Sequence, residues 1–401
     1  MRLGGVAAIA QTDAMRRLVA TMLLSLAAVD TLAQTDTAPS PPSASRFANG
    51  LPSDAKWFPL GVWLQSPHNA KAFLDLGINL YVGLYDGPTT AQLNALDQVG
   101  MRAVCAQNAI GLAHQGKTIV GWMHGDEPDN AQGRRLTGYA PPIAPWQVVA
   151  EYERLHKQDP TRPILLNLGQ GAAWDGWHGR GDRSNHPEDY PEYSKGCDLV
   201  SFDIYPVTHP HRDVRGKLEF VGHGVRRLVD WTQGQKPVWA CIETGHVGNA
   251  DVRPTAAQIR SEVWMAIACG ASGIVYFVHE FAPKFQEASL LSYPEIAKAV
   301  QALNVEVLAA AEILHSARAD HQLRAEVRDQ GKLAVRVHEH AGALHVFAAS
   351  MQSSALQVVF TVSGTTKGKA SLAGTAPITI ADGTFADTLA GYDIRHYRIE
   401  R

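Results

Sequence analysis

Between residues 58 and 278 eight short β-type runs alternate with stretches of helical period, and that alternation limits what the chain can fold into more than any other feature. The candidate strands are Phe58 to Leu64, Ile78 to Tyr85, Met101 to Gln107, Ile119 to His124, Pro163 to Leu168, Asp198 to Tyr205, Pro237 to Glu243 and Gly273 to Val278. Helical patterns run over Asn69 to Leu76, Ala91 to Val99, Trp146 to Lys157, Leu218 to Thr232, Thr255 to Cys269 and Pro294 to Leu314. Turn signals such as Leu76-Gly77, Val99-Gly100, Asp159-Pro160 and Cys269-Gly270 separate the units. Eight βα units in about 260 residues suit a closed (β/α)8 TIM barrel over residues 51–316; an open doubly wound sheet rarely needs so many in a row. No glycine-rich phosphate loop follows the first strand, so nucleotide binding has no support.

Alternation inside the strands assigns faces. In the second strand the aliphatic even-numbered positions suit the helix-covered face, which turns Asn79, Tyr81, Gly83 and Tyr85 inward. By the same rule Asn167, Asp203, Tyr205, Trp239, Cys241 and Glu243 point into the barrel, with Asp126 and Glu127 just past the fourth strand. Polar groups therefore gather at the C-terminal ends of the strands, the face on which barrels of this kind build active sites.

Beyond residue 316 the pattern changes to short alternating strands between Gly and Asp turns, which predicts a small β-sandwich over 317–401. At the other end Arg16 and Arg17 precede an apolar run, Leu18 to Val29, and Thr31-Leu32-Ala33. This reads as a signal peptide over 1–33 and a secreted or periplasmic protein with no membrane insertion after its removal. The Thr-, Ser-, Pro- and Ala-rich residues 34–50 read as a disordered linker. A balance of 36 Lys+Arg against 39 Asp+Glu, without blocks of one sign, gives no basis for a nucleic-acid partner. Cys105, Cys197, Cys241 and Cys269 lack the spacing of a disulfide framework or zinc site and read as buried thiols.

Cleaving a glycosidic bond takes one carboxyl to protonate the leaving oxygen and a second on the opposite face of the sugar. Strands 4 and 7 of an eight-strand barrel face each other across the mouth, and they end in Gly125-Asp126-Glu127-Pro128 and Ile242-Glu243-Thr244. Asp-Glu-Pro is also a common helix start, whereas an inward Glu at a strand end is costly unless partnered or used. With both acids in the right units, the chain resembles the clan A glycoside hydrolases, a superfamily of retaining (β/α)8 enzymes. The resemblance implies double displacement on a carbohydrate substrate, with Glu127 as acid/base and Glu243 as nucleophile. It also matches Tyr205 to a strand 6 Tyr that bonds the nucleophile. Asp126 stands where the clan commonly carries Asn at the sugar 2-hydroxyl, a change that bears on the subfamily.

Candidate substrate contacts are Asp126, Tyr205, Trp63, Tyr85, Asn167, Asp203, Trp239 and His279, with Glu280 the rival carboxylate. His209-Pro210-His211 lacks partners at a ligand spacing, so no metal or other cofactor is expected. The insertion from Ala172 to Lys195, with Trp174 and Trp177, reads as a substrate-shaping loop over the mouth. A non-catalytic glycan-binding barrel is the rival reading.

Overall fold

The computed structural model describes residues 46–133, 138–281 and 283–400. The signal-peptide reading, and the linker reading up to residue 45, lie outside the described residues. Strands β1 (Leu60–Trp63), β2 (Leu80–Val82), β3 (Arg102–Cys105), β4 (Ile119–Met123), β5 (Ile164–Leu168), β6 (Leu199–Asp203), β7 (Val238–Glu243) and β8 (Gly273–Phe277) close into a barrel in chain order. All neighbours are parallel, including β8 with β1. Parallel strands need crossovers, supplied by α1 (Ala70–Asp75), α2 (Thr90–Val99), α3 (Ala109–Ala113), α4 (Pro145–Gln158), α5 (Tyr190–Tyr193), α6 (Glu219–Trp231), α7 (Ala256–Ala268) and α8 (Pro294–Ala309).

Two apolar layers follow from the period of two. Leu60, Val62, Ile164, Leu166, Val200, Phe202, Val238, Ala240 and Ile242 pack outward against helices. Trp63, Val104, Leu165, Leu199, Tyr205, Trp239, Cys241 and Val275 fill the inside. The faces assigned to β2 are reversed: Leu80 and Val82 line the interior, while Tyr81 packs outward against Phe73 of α1 and donates to the Ser66 carbonyl. Strands of a parallel barrel are covered on both faces, so an aliphatic/aromatic alternation does not tell inside from outside. Gly83, in the left-handed region at φ +88°, then ends the alternation, and Tyr85 still arrives at the mouth with its hydroxyl 3.3 Å from His279 Nε2.

The C-terminal strands are β9 (Ala317–Arg318), β10 (Leu323–Val327), β11 (Leu333–His340), β12 (Ala343–Ser350), β13 (Leu356–Val362), β14 (Lys367–Ser371), β15 (Ile378–Ala381), β16 (Thr384–Leu389) and β17 (Ile394–Glu400). They form one antiparallel sheet in the order β9-β11-β12-β17-β14-β15-β16-β13-β10, curled around its own core of Val346, Val358, Phe360, Tyr397 and Ile399. Strands β14 and β16 lack clear sequence patterns; in β14 only Ala370 is buried. Helix α7 lies between barrel and sheet. Its Trp264 stacks on Phe347 at 5.4 Å, and the buried Arg336 guanidinium donates to the carbonyls of Ile267 (3.2 Å) and Ala271 (3.0 Å) at its end. All four cysteines are buried and unpaired. Among the described residues no helix is long and apolar enough to cross a membrane.

Glu262 breaks the rule for buried polar groups. It is fully enclosed in α7, and among the described residues neither carboxyl oxygen has a hydrogen-bond partner. Burial first, then the charge of Glu243, pushes its pKa well above the ordinary 4.5. The folded state therefore keeps a proton that the unfolded chain releases, so this group's contribution to stability is full below pH 4.5 and is lost as pH rises. Glu262→Met should raise the thermal midpoint, by the equivalent of about 1–3 kcal/mol, with a larger gain at pH 8 than at pH 4. Calorimetry across that range checks it; a gain independent of pH would contradict it.

Candidate active site

The segment after β4 starts no helix. It turns immediately, and Glu127 sits in the left-handed region at φ +43°, a conformation that a non-glycine residue holds only when its surroundings enforce it. The side chains of Asp126, Asp129 and Asn130 are each tied to residues outside the segment. Asp126 accepts from Asn167 Nδ2 at 2.9 Å, and Ser201 donates to Asn167 Oδ1 at 2.7 Å, which fixes the amide's orientation. Asp129, wholly buried, accepts from the Gly169 amide (2.8 Å) and the Tyr190 hydroxyl (2.9 Å). Asn130 donates to Glu127 Oε2 at 2.7 Å while its own Oδ1 accepts from Trp177 Nε1 at 2.8 Å. The insertion carrying Trp177 is thereby joined to the acid. Buried Arg180 anchors the same insertion through the Asp129 and His186 carbonyls and the Asp189 carboxylate.

Asp203, at the end of β6, faces Glu127 with Tyr205 and Asn167 beside it. Its Oδ1 is buried and has no N–H or hydroxyl donor in bonding geometry. Burial raises the pKa of the Asp203 carboxyl, and a hydrogen bond between two acids requires one of them to keep its proton. Burial first, then the charge and contact of Asp203, hold the Glu127 carboxyl far above the ordinary carboxylate range. Burial and the Asp203 charge also raise Asp126 to about 7, against which the Asn167 bond acts. Three carboxyls thus share one small, water-poor space. The Glu127–Asp203 pair therefore retains a proton at neutral pH.

Glu243 occupies different surroundings. It ends β7 with no exposed surface, and its carboxylate accepts from the amides of Val207 (2.6 Å) and Thr208 (3.1 Å) and from Thr208 Oγ1 (2.6 Å). Burial raises its pKa and those three bonds oppose the rise. The acids that act most on Glu127 are Asp203, Asp126 and Asp129, whereas the acid that feels Glu243 is Glu262. Tyr205 stands beside Asp203 and against Phe277 (4.9 Å), while the bonds of Glu243 go to Val207 and Thr208, so among the described residues the bond to the strand 7 acid implied by the resemblance is not made. Glu243 pins the turn after β6.

Of the other sequence candidates, Tyr85 and His279 meet at the mouth, where His279 also bonds the Leu64 carbonyl at 2.9 Å. Trp63 is buried in the inner cluster at the end of β1. Trp239 is corrected from a sugar-stacking wall to a barrel plug: it lies near the N-terminal end of β7, wholly buried, so close to Gly273 that a Cβ there would meet its ring at 2.5 Å. Glu280 is buried and engaged by the His246 amide (2.9 Å) and the Tyr293 hydroxyl (3.0 Å). His209 bonds Gln170 and packs on Trp174. Sequence reasoning misses Asn130 and Asp129, and places Trp177 only within the substrate-shaping insertion. The run Asp126-Glu127-Pro128-Asp129-Asn130, dense in short polar side chains directly after a strand, was the available signal.

No family model matches the sequence, and no curated protein matches it. Solved structures share the architecture. A catalytic mutant of a GH42 beta-galactosidase from G. stearothermophilus is 9% identical, with 86% of this chain and 98% of that one covered at a TM-score of 0.51. A putative alpha-galactosidase/melibiase from Bacteroides fragilis NCTC 9343 is 12% identical, covering 86% and 79% at 0.51. Another putative alpha-galactosidase of that organism is 12% identical, covering 88% and 80% at 0.50. At such identities the likeness carries the fold: an eight-strand barrel followed by a β-domain.

Removing the Asp203 charge should release Glu127. In Asp203→Asn the Glu127 carboxyl is expected to titrate lower than in the parent, still above its ordinary range because it stays buried. Carbon-detected NMR of labelled glutamate checks this; an unchanged or higher value would contradict the pairing.

Proposed function

We propose that this chain hydrolyses O-glycosidic bonds of an oligosaccharide or polysaccharide, with Glu127 as the proton donor. The observation that carries the reading is the Glu127–Asp203 contact at the C-terminal mouth of the barrel, where burial raises both carboxyls and the pair retains a proton, which we assign to Glu127. A general acid for a sugar leaving group must hold its proton at working pH, and the second carboxylate must face the positive charge that develops on the ring carbon. With a sugar between them, Glu127 gives its proton to the leaving oxygen as the C–O bond breaks, and Asp203 takes a proton from the water that bonds to the ring carbon, which requires the pair to part from its present contact to about 6.5–9.5 Å. Asn130 orients the acid, and Asp126, held by Asn167, offers an acceptor for a ring hydroxyl.

A second reading keeps double displacement with Glu243 as nucleophile. Its place at the end of β7, across the ring from β4, favours it, and it requires the Val207–Thr208 turn to leave the carboxylate. A glycan-binding barrel without turnover is the outcome if substrates bind and none is cut. The N-terminal run supports export of the enzyme; N-terminal sequencing of the secreted protein should then begin at Gln34.

A product-profiled screen on polysaccharides and aryl glycosides supplies the substrate. On it, Glu127→Gln should lower turnover by about 10²–10⁴-fold, and Asp203→Asn comparably. Glu243→Gln should act mainly through thermal stability. If azide restores turnover to a Glu243→Ala variant with inverted product, and Asp203→Asn stays active, double displacement through Glu243 replaces the Asp203 reading. Near-parental activity of Glu127→Gln contradicts both.

A further inference from the structure

Phe281 and Phe285 are each 55% exposed, in a chain whose other aromatic side chains near the barrel mouth are mostly buried. Their rings lie 5.8 Å apart. A paired exposed aromatic surface forfeits burial that a folded chain ordinarily gains, and such patches mark places that something else covers. The residues that flank them are paired. Glu280 and Gln286 pair in antiparallel fashion, amide to carbonyl at 3.0 and 2.8 Å, and set the two Phe side by side. Beneath them the buried Glu280 carboxylate is fixed by the His246 amide and the Tyr293 hydroxyl, with Arg253 at 3.6 Å.

The patch continues into the carboxyl cluster. Phe281 lies 6.4 Å from Phe277, Phe277 lies 4.9 Å from Tyr205, and Tyr205 stands beside Asp203. His279 fills the angle between them, 5.6 Å from Phe285 and 5.2 Å from Phe277. An unbroken series of rings therefore leads from the acid pair to solvent at the end of β8. We propose that Phe281 and Phe285, packed on each other, together form one wall of a stacking clamp for a pyranose ring of the substrate chain, beyond the ring that reaches Glu127 and Asp203. The proposal rests on the glycosidase reading above, and the continuity of the rings with the acid pair selects this occupant.

A pyranose presents an apolar face of C–H groups and a polar rim of hydroxyls, and a Phe ring can engage only the face. The clamp therefore reads the presence of a further ring and is tolerant of hydroxyl stereochemistry. Its contribution appears with longer chains and vanishes with short ones. Trp177, on the insertion after β5, flanks the acids from a strand three steps around the barrel, so the two aromatic walls stand on opposite sides of the mouth.

The test applies the full-length Glu127→Gln chain, which should bind without turnover, to di- to hexasaccharides of β-glucan, xylan, mannan, α-glucan, arabinan and galactan. At least one series should bind with affinity rising with length. Adding Phe281→Ala and Phe285→Ala should weaken the six-ring member by about tenfold and the two-ring member by less than about twofold, with an unchanged thermal midpoint. Replacing both by Trp should preserve the length dependence. Equal affinity of the Ala variant for every length overturns the clamp alone. Absence of binding by the Glu127→Gln chain overturns both the clamp and the glycosidase reading. Concentration-dependent dimerisation of the parent, lost in the Ala variant while glycan affinity stays, assigns the patch to contact between copies of the chain and overturns the clamp.

Discussion

Two carboxyl groups in contact within a poorly hydrated pocket cannot both be ionised at low cost, because like charges a few ångströms apart repel strongly where water is scarce. The Glu127–Asp203 contact places that condition at the mouth of the barrel, and the surrounding structure is arranged around it. One proton resolves the repulsion. Asn130 turns Glu127 toward Asp203, Asn167 and Ser201 hold Asp126 to one side, and Tyr205 backs Asp203. The strained backbone at Glu127 is maintained by Asp129, whose buried carboxylate is bound to the loop after β5 and to Tyr190. The insertion after β5 is thus bound into the segment that carries Glu127.

This arrangement separates the roles of the acids at the strand ends. Glu127 and Asp203 face each other, Asp126 faces Asn167, Glu280 supports the loop after β8, and Glu243 braces the turn after β6. A barrel strand end is a favourable place for chemistry because polar groups there are neither in the apolar interior nor in bulk water. The same intermediate setting suits structural anchoring, and Glu243 shows that use. Its neighbour Glu262, with no hydrogen-bond partner for either oxygen among the described residues, lies in α7, which packs between the barrel and the C-terminal sheet.

The barrel was legible from periodicity because eight βα repeats leave few alternatives, and β6 and β7 were read on the correct faces because their outward positions are uniformly apolar. Strand β2 was misread because both of its faces are apolar and aromatic size does not report direction. Asp126, Glu127, Asn167, Asp203 and Tyr205 were all identifiable at strand ends. Their pairing was not, since which carboxyl meets which depends on side-chain reach and on the positive φ at Glu127. The bonds of Asp129 and Asn130 to a loop some 40 to 60 residues away have no signature in a single sequence. Nor does the turn that encloses Glu243, because it arises from the Val207 and Thr208 amides.

The central claim is that Glu127 carries a proton at neutral pH and gives it in a hydrogen bond to Asp203. Neutron diffraction from deuterium-exchanged crystals at neutral pD tests this most directly. Nuclear density for one deuteron between the two carboxyls, bonded to Glu127, is the predicted result. Two bare carboxylates separated by heavy water, or a deuteron carried by Asp203 alone, would contradict it.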